Sequence, residues 1–315
     1  MVAGTVRLRR DQVARRYAIL DVFTAKGLTG NPLAVVLDSA GLDTATMLSI
    51  TKEFNLSETV FVEPPSRPGT SAKIRIFTPG RELPFAGHPT VGTAVLLAHE
   101  RLQGIERETD AMVVLEEQVG VVRCGVTISP ERSGFAVFDL PKLPEERPFH
   151  GDIGLAASAL GLNRGDIGFE NHVPCVFEGG GPVFVFLPLA GLDAMRRIRV
   201  DKSLWASAFG SNELDLFVYS REVVTNGHDF HARMFAPHLG IGEDPATGSA
   251  AAAFSAVVRR FDRPADGEHK LVIEQGFEMG RPSLIELEII IEKGKLTGGR
   301  IGGEAVIVAR GELYV

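Results

Sequence analysis

A patterned segment occurs twice in this chain, once in each half. The first copy reads Ile-Arg-Ile-Phe-Thr-Pro at 74–79 and continues as His-Pro-Thr-Val-Gly-Thr-Ala at 88–94. The second reads Ala-Arg-Met-Phe-Ala-Pro at 232–237 and continues as Asp-Pro-Ala-Thr-Gly-Ser-Ala at 244–250. Both copies fit Arg-x-Phe-x-Pro, a loop, a polar residue, Pro, two residues, Gly, a hydroxyl residue and Ala.

Further matches flank this segment in the same order. Residues 30–37 resemble 180–187, and Glu117-Gln118 resembles Glu274-Gln275. Chance does not readily supply several matches in one order, so we interpret the chain as two structural copies of one domain fused in tandem. With 315 residues, each copy has the length of an ordinary domain.

The predicted domain boundary lies in a link rich in proline and charge. It separates a first repeat domain, 17–145, from a second, 146–315. The last strand, 304–315, is a candidate to return and complete the first domain. Residues 1–16 lie outside the repeat, and we interpret them as an N-terminal extension that is a candidate for disorder.

The composition argues against several classes of function. A net charge of -7 and an isoelectric point near 5.7 give no basic field for a phosphate backbone, so we expect no nucleic-acid partner. No apolar run approaches the roughly 20 residues that span a bilayer, so we expect a cytoplasmic protein without a membrane partner. Cys124 and Cys175 are the only thiols; they argue against a disulfide framework, exclude a thiol-rich metal site, and are interpreted as packing residues.

Each repeat has a proline where a helix is expected to begin. Proline suits the first helical position, because its missing N–H costs nothing there and its fixed φ matches the helix. This predicts His88 and Asp244 as the N-caps. The segments that follow are apolar on nearly every side, and such helices must be buried. We predict an α+β fold of two pseudo-symmetric domains, each a curled, mostly antiparallel sheet around a central helix.

The buried helix starts are candidate binding sites. A helix N-terminus has N–H donors without intrahelical partners and partial positive charge, which suit a carboxylate. Gly92 and Gly248 are predicted in the first turn, where glycine costs roughly 1 kcal/mol relative to alanine, and this cost indicates that something approaches the backbone closely. If the two starts face each other, they form a pocket for a small carboxylate-bearing molecule. The predicted free donors are the N–H groups of Thr90, Val91, Ala246 and Thr247.

Several of these assignments have simpler alternatives. Pro-x-x-Gly after a polar residue can simply cap a helix, although both copies keep a hydroxyl residue, Ser249 in the second. Arg75 and Arg233 could bind an anion, but an interdomain salt bridge explains them equally well. His228 and His231 are expected to point to opposite faces of a strand and to make a poor metal pair.

Glu58 begins a predicted strand, 58–62. Alternation places it on the same face as Val60 and Val62. A carboxylate on an apolar face loses hydration, and the raised pKa that results suits a general acid or base near neutral pH. The alternative is a strand-end carboxylate that turns to water, and periodicity alone favours this alternative.

Five segments stand out in combination: Asn55–Phe61, Ile74–Pro79, Glu82–Pro89, Glu243–Ala250 and Met279–Ser283. Together they resemble the signature segments of the PhzF-like family of phenazine biosynthesis isomerases. The resemblance runs from about Tyr17 to Val315.

The resemblance implies the diaminopimelate-epimerase-like fold, with the active site in the cleft between two similar domains. It also implies a cofactor-independent isomerase without a metal site, usually a homodimer. The member that names the family isomerises trans-2,3-dihydro-3-hydroxyanthranilate by moving a proton between ring carbons. By motif match, Glu58 would be the acid/base, and His88 and Asp244 would bind and polarise the substrate. The pocket would be completed by Gly87, Thr90, Thr247, Gly248 and Ser249.

Epimerases and racemases of the wider superfamily use two cysteines, one near each helix start. The corresponding segments here are Gly87-His88 and Thr247-Gly248-Ser249, which contain no thiol. The two-thiol mechanism is therefore excluded, and one-base chemistry through Glu58 is the interpretation that is left.

The leading hypothesis is a cofactor-free isomerase of a small carboxylate-bearing metabolite, with Glu58 as the acid/base. One rival is a small-molecule-binding protein that keeps the cleft but has little catalysis. Another is a lyase or hydrolase on the same scaffold, which would need an activated water or nucleophile, and Ser249 has no visible base partner. Family resemblance does not by itself name the substrate.

Overall fold

The structure is a computed structural model that describes residues 13–179, 181–211, 214–239 and 241–315, without the side chains of Leu239 and Ile241. These residues form a 17-stranded sheet and six α-helices. Residues 1–12 of the predicted extension, and Gly180 of the flanking match, lie outside the described residues. None of the helices within these ranges combines the length and the hydropathy needed to cross a membrane.

The chain order of the elements is the same in outline in both halves. The first half contains β1 (Ala14–Val22), β2 (Asn31–Val36), α1 (Thr44–Phe54), β3 (Glu58–Glu63), β4 (Ala72–Phe77), β5 (Glu82–Leu83), α2 (Gly87–Arg101), β6 (Thr109–Glu117), β7 (Gly120–Ile128) and β8 (Ser133–Asp139). The second half contains β9 (Glu145–Arg147), α3 (Ile153–Ala159), β10 (Cys175–Glu178), β11 (Val183–Pro188), α4 (Leu192–Arg197), α5 (Trp205–Phe209), β12 (Asp215–Ser220), β13 (Phe230–Ala236), β14 (Ile241–Asp244), α6 (Gly248–Phe261), β15 (Gly267–Gln275), β16 (Ser283–Glu292) and β17 (Lys295–Tyr314).

The strands of the first half close into a ring around α2. The order around the ring is β1, β2, β3, β4, β6, β7 and β8. The C-terminal part of β17 closes the ring, because it pairs with both β8 and β1. The first strand begins at Ala14, which pairs with Tyr314, so ordered structure starts before residue 17, the predicted start of the first domain. α2 is buried from Gly87 to Leu96, as its all-round apolar sequence requires.

The second half repeats this arrangement around α6. β10, β11, β12, β13, β15 and β16 follow in the same order, and β16 pairs with the N-terminal part of β17. Four of the pairs, β2–β3, β4–β6, β11–β12 and β13–β15, are parallel, and the others named here are antiparallel. The predicted fold class is confirmed: two similar α+β halves, each a curled, mostly antiparallel sheet around a buried helix.

The arginines of the repeated motif occupy equivalent places. Arg75 makes a bidentate pair with Glu82 of β5, at 2.8 and 2.6 Å. Arg233 makes the same pair with Glu243 of β14, at 2.8 Å for both bonds. Each pair lies within its own half, so these arginines hold neighbouring strands together and do not form an interdomain salt bridge with those glutamates.

The central helices do not begin where the sequence pattern predicted. The first begins at Gly87 and the second at Gly248. The prediction that His88 and Asp244 are the N-caps is therefore wrong: His88 lies inside the first turn of α2, and Asp244 ends β14. Pro89 is the third residue of α2, where a missing N–H costs nothing, whereas Pro245 lies before α6 begins. The shared proline therefore did not mark one position.

The glycines of the repeated pattern are likewise not equivalent. Gly248 is the first residue of α6, whereas Gly92 lies in the second turn of α2. A Cβ on Gly92 would lie 2.7 Å from side-chain atoms of Leu33 and of Val22. The predicted close approach to the backbone at Gly92 is therefore confirmed, and it is made by the sheet that packs against α2. The prediction that Gly92 lies in the first turn is wrong.

Candidate active site

The N-termini of the two central helices meet between the halves. A Cβ on Gly87 would lie 2.8 Å from the Cα atom of Gly248, and a Cβ on Gly248 would lie 3.0 Å from the Cα atom of Gly87. Side chains at either position would collide with the opposite backbone, so both positions require glycine. The two helix starts therefore face each other, as the predicted pocket requires.

The predicted backbone donors at these starts are already occupied. Thr90 N donates to the carbonyl oxygen of Ala86 at 3.2 Å, and Thr247 N donates to Gln275 Oε1 at 3.0 Å. The prediction that these two N–H groups are free is wrong. The N–H groups that lack an intrahelical acceptor are those at the very start of each helix. They belong to Gly87 and His88 in α2 and to Gly248, Ser249 and Ala250 in α6.

Glu58 and His88 face each other beside the start of α2. Glu58 is the first residue of β3, and its Oε2 lies 3.5 Å from His88 Nε2. Neither atom has a hydrogen-bond partner among the described residues. The Glu58 side chain is 14% exposed and that of His88 is 4% exposed. Glu58 is therefore mostly buried, and the alternative that it turns to water does not apply.

Burial sets the protonation of this pair. It raises the pKa of Glu58 well above its ordinary value, and the nearby carboxyl groups of Asp244 and Asp215 raise this pKa further. Burial lowers the pKa of His88 to about 3. At neutral pH, a neutral imidazole therefore lies beside a carboxyl group that holds its proton more strongly than an ordinary glutamic acid does. Such a carboxyl group can exchange a proton with a substrate near neutral pH.

Asn31, at the start of β2, connects the two other predicted site residues. Its Nδ2 donates to Asp244 Oδ1 and to the carbonyl oxygen of Ala246, both at 2.9 Å, and lies 3.5 Å from His88 Nδ1. Because an amide nitrogen only donates, His88 Nδ1 accepts, and the imidazole proton is on Nε2. This places an imidazole N–H group 3.5 Å from Glu58 Oε2, without a hydrogen bond between them.

Asp244 is fixed by donors from three segments. Besides Asn31, Ser57 Oγ donates at 3.4 Å and Thr247 Oγ1 at 2.5 Å. Burial raises the pKa of Asp244 to about 6, against these hydrogen bonds, which lower it. Gln275 Nε2 donates to the backbone oxygen of Asp244 at 2.8 Å. Thr247 thus acts mainly by holding Asp244.

Thr90 lies apart from this cluster. It is fully buried, and its hydroxyl oxygen lies 2.8 Å both from the carbonyl oxygen of Ala86 and from Glu117 Oε1, so its one hydrogen is shared between the two acceptors. Ser249, in contrast, is half-buried in the first turn of α6, next to Gly248. The structure therefore brings Glu58 together with its predicted partners, but not with Thr90. The partners in this cluster are His88, Asp244, Gly87, Gly248, Ser249 and Thr247.

Three residues of the cluster were absent from the predicted site. Ser57 directly precedes Glu58, and Asn31 stands in the flanking Gly-x-Pro match, so both lie in segments that the sequence already singled out. Asp215 lies at the start of β12 and has no such local signal. Its relation to the site follows only from strand register.

The cluster lies in a closed part of the interface. His88 is 4% exposed and Asp244 is 7% exposed. A groove of about 590 Å³ lined by Phe23, Phe277 and neighbouring residues reaches neither of them, nor Glu58. We therefore expect the two halves to move apart when a substrate enters, as in other enzymes that close over their substrate.

The described histidines, cysteines and acids include no group of three or more that could hold a metal ion. His228 and His231 both contact Glu274, at 2.8 and 3.0 Å. The prediction that they point to opposite faces is wrong, because His228 precedes β13 and strand alternation does not govern it. Cys124 and Cys175 are buried in the core, as predicted.

Known proteins resemble this chain over nearly its whole length. The family model described as "Phenazine biosynthesis-like protein" matches residues 20–311. The chain is 50% identical over 310 residues to an uncharacterized isomerase of Mesorhizobium japonicum, covering 96% of this chain and 99% of that protein. It is 35% identical over 303 residues to the trans-2,3-dihydro-3-hydroxyanthranilate isomerase of Pseudomonas fluorescens, covering 95% and 99%. A PhzF family crystal structure from Bacillus anthracis matches with a TM-score of 0.84 and 26% identity, covering 96% of this chain and all of that one.

Proposed function

The chain belongs to the PhzC-PhzF family of phenazine biosynthesis-like proteins and is an isomerase; from this premise we propose that it moves a proton between carbon atoms of a small carboxylate-bearing metabolite. The reaction needs no cofactor, because Glu58 serves as the acid/base that exchanges a proton with the substrate. The proposed substrate class is that of trans-2,3-dihydro-3-hydroxyanthranilate and related cyclic carboxylates.

The observation that carries this proposal is the arrangement of Glu58 and His88. Glu58 Oε2 is buried, has no hydrogen-bond partner among the described residues, and lies 3.5 Å from His88 Nε2. A carboxyl group in such a place can hold or release a proton near neutral pH, and neutral His88 supplies a hydrogen-bond donor to its ionised form.

The surrounding residues have roles that fit such a substrate. The N–H groups of Gly248 and Ser249, at the positive end of α6, suit the substrate carboxylate. Asp244, held by Asn31, Ser57 and Thr247, suits a donor group of the substrate, such as an amine or a hydroxyl. The two sets bind opposite kinds of polar group and so orient the molecule over Glu58.

The test is the turnover of trans-2,3-dihydro-3-hydroxyanthranilate by the variant Glu58→Gln. General acid–base groups contribute roughly 100-fold to 10,000-fold, so we expect kcat to fall at least about 100-fold, with the fold and substrate binding retained. Glu53→Gln is the matched control, because it makes the same change on the exposed face of α1. A folded Glu58→Gln protein with the wild-type kcat would overturn the proposal.

A further inference from the structure

Asp215 occupies in the second half the place that Glu58 occupies in the first. Both acids begin a strand that pairs in parallel with the preceding one, Glu58 opposite Leu33 and Asp215 opposite Phe184. Leu33 and Phe184 both belong to the hydrophobic core that contains the central helices. The pairing with the preceding strand therefore places Glu58 and Asp215 at equivalent positions in the two halves.

The pairing with the following strands, β4 and β13, gives the same correspondence between Glu58 and Asp215. Thr59, directly after Glu58, lies opposite Phe77, and Leu216, directly after Asp215, lies opposite Phe235. These two phenylalanines belong to the repeated Arg-x-Phe motif. The pseudo-twofold relation that brings the helix starts together thus also relates Glu58 to Asp215.

Asp215 is buried and has one carboxyl oxygen without a hydrogen bond. It is 1% exposed, and its Oδ1 has no hydrogen-bond partner among the described residues. His238 Nδ1, from the turn between β13 and β14, lies 3.6 Å from this oxygen. Buried polar atoms in folded proteins are nearly always bonded. Unlike the unbonded oxygen of Glu117, this one belongs to an acid that lies near Glu58 and Asp244, so it is available to a group bound in the candidate site.

The charges around Asp215 belong to the same cluster. Burial raises the pKa of Asp215 to about 7; the Asp244 carboxyl group raises it further, and Arg81, from the first half, lowers it. Asp215 in turn raises the pKa of Glu58. The groups that face Asp215 are therefore Glu58, Asp244, Arg81 and His238, and they come from both halves of the molecule.

We propose that Asp215 is a second proton-transferring residue of this site, which acts on the substrate from the second half while Glu58 acts from the first. The proposal rests on the proposed isomerase function and extends its one-base scheme to two carboxyl groups. It gives a role to the unbonded carboxyl oxygens that face the interface from both sides.

The step balances without a further reactant. The Asp215 carboxylate accepts a proton from one substrate carbon, and the electron pair of the broken C–H bond moves into the adjacent π system. The O–H bond of Glu58 breaks as its proton forms the new C–H bond at the second carbon. Proton exchange with water then restores the Asp215 carboxylate and the Glu58 carboxylic acid.

The first test compares Asp215→Asn and Asp215→Glu with trans-2,3-dihydro-3-hydroxyanthranilate as the probe. We expect Asp215→Asn to lower kcat at least about 100-fold, Asp215→Glu to restore part of it, and Asp215→Asn to remove the acidic limb of the pH–rate profile. Glu117→Gln is the matched control, because it removes a buried carboxyl group outside the site. If Glu58→Gln is inactive while Asp215→Asn keeps the wild-type rate and profile, the proposal is overturned and the isomerase function stands.

A second test does not depend on any substrate. In protein labelled with ¹³C at the glutamate carboxyl carbon, the Glu58 signal is the one that Glu58→Gln removes. We expect Asp215→Asn to lower the titration midpoint of Glu58, because it removes a nearby negative charge, and Glu117→Gln to leave it in place. An unchanged midpoint in Asp215→Asn would show that the two carboxyl groups do not share a site, and would overturn the proposal even if the probe is not turned over.

Discussion

Glu117 and Gln275 occupy equivalent places beside the starts of the two central helices. Thr90 Oγ1 donates to Glu117 at 2.8 Å, and Thr247 N donates to Gln275 at 3.0 Å. Glu117 Oε2 has no hydrogen-bond partner among the described residues, and burial raises the pKa of Glu117 to about 8. A neutral side chain therefore suits both places, and Glu117 is neutral only while it keeps its proton.

Glutamine at position 117 should make the protein more stable in alkaline solution. The unfolded chain loses the Glu117 proton near the ordinary pKa of 4.5, and the folded protein loses it near 8. The stability that the proton contributes is complete below the lower value and is lost as the pH rises through the higher one. We expect the unfolding free energy of Glu117→Gln to exceed that of the wild type by a margin that grows with pH, reaching on the order of 1 kcal/mol or more. Urea unfolding between about pH 5 and pH 9 measures the margin, and a margin independent of pH would contradict this account.

Helices and strands were predictable from the sequence, but only part of the residue-by-residue match between the two halves was: the repeated arginines correspond as predicted, whereas the helix starts do not. All-round apolar segments identified the buried helices. Alternation placed Glu58 on the same face of β3 as Val60 and Val62, but periodicity alone favoured a carboxylate that turns to water. Local sequence patterns predict whether a segment is a helix or a strand. Which residue of one copy corresponds to which residue of the other also depends on the lengths of the loops between the elements. The segment from Phe77 to Glu82 is shorter than that from Phe235 to Glu243, so the shared Pro-x-x-Gly pattern aligned the helix starts wrongly.

The same limit explains which site residues were found. Glu58, His88 and Asp244 lie in segments that resemble the family, and the structure brings them together. Asp215 lies in no such segment, and its correspondence to Glu58 follows only from the pairing of β11, β12 and β13. The sequence match of Glu117 with Glu274 is also off by one residue. Glu116 pairs opposite Lys73, and Glu274 pairs opposite His231. Strand register therefore makes Glu116, and not Glu117, the equivalent of Glu274.

The contact between the helix starts gives a prediction at the same scale. A Cβ on Gly248 would lie 3.0 Å from the Cα atom of Gly87 and 3.1 Å from the ring of Phe23. Gly248→Ala therefore forces the starts apart, and we expect it to lower the unfolding free energy by about 1–3 kcal/mol and to reduce kcat. Gly242→Ala is the control, because nothing lies within 4 Å of its Cβ. If chemical denaturation gave both variants the same unfolding free energy, the inferred close contact between Gly87 and Gly248 would be wrong.

The whole molecule is joined by β17, which belongs to both rings of strands. Its 20 residues pair first with β16 of the second half, then with β8 and β1 of the first. The ring around α2 is closed only by this strand, because β8 and β1 both pair with it. The first half therefore depends on the end of the chain.

Removal of residues 304–315 should loosen the first half more than the second. The deletion opens the ring between β8 and β1 and exposes the buried face of α2, whereas β10 to β13 keep their partners. We expect faster hydrogen exchange in β1, β2 and β8 than in β11, β12 and β13, measured by mass spectrometry. Equal acceleration in both halves would mean that the molecule unfolds as one unit and would contradict this dependence.

The central claim is that Glu58 exchanges a proton with a carbon atom of the substrate. The most direct measurement is the NMR detection of deuterium in trans-2,3-dihydro-3-hydroxyanthranilate and its product after incubation with the protein in D₂O. The account predicts deuterium at the newly formed C–H bond with the wild type and with Glu53→Gln, and none above background with Glu58→Gln. Incorporation by a folded Glu58→Gln protein at the wild-type rate would contradict it.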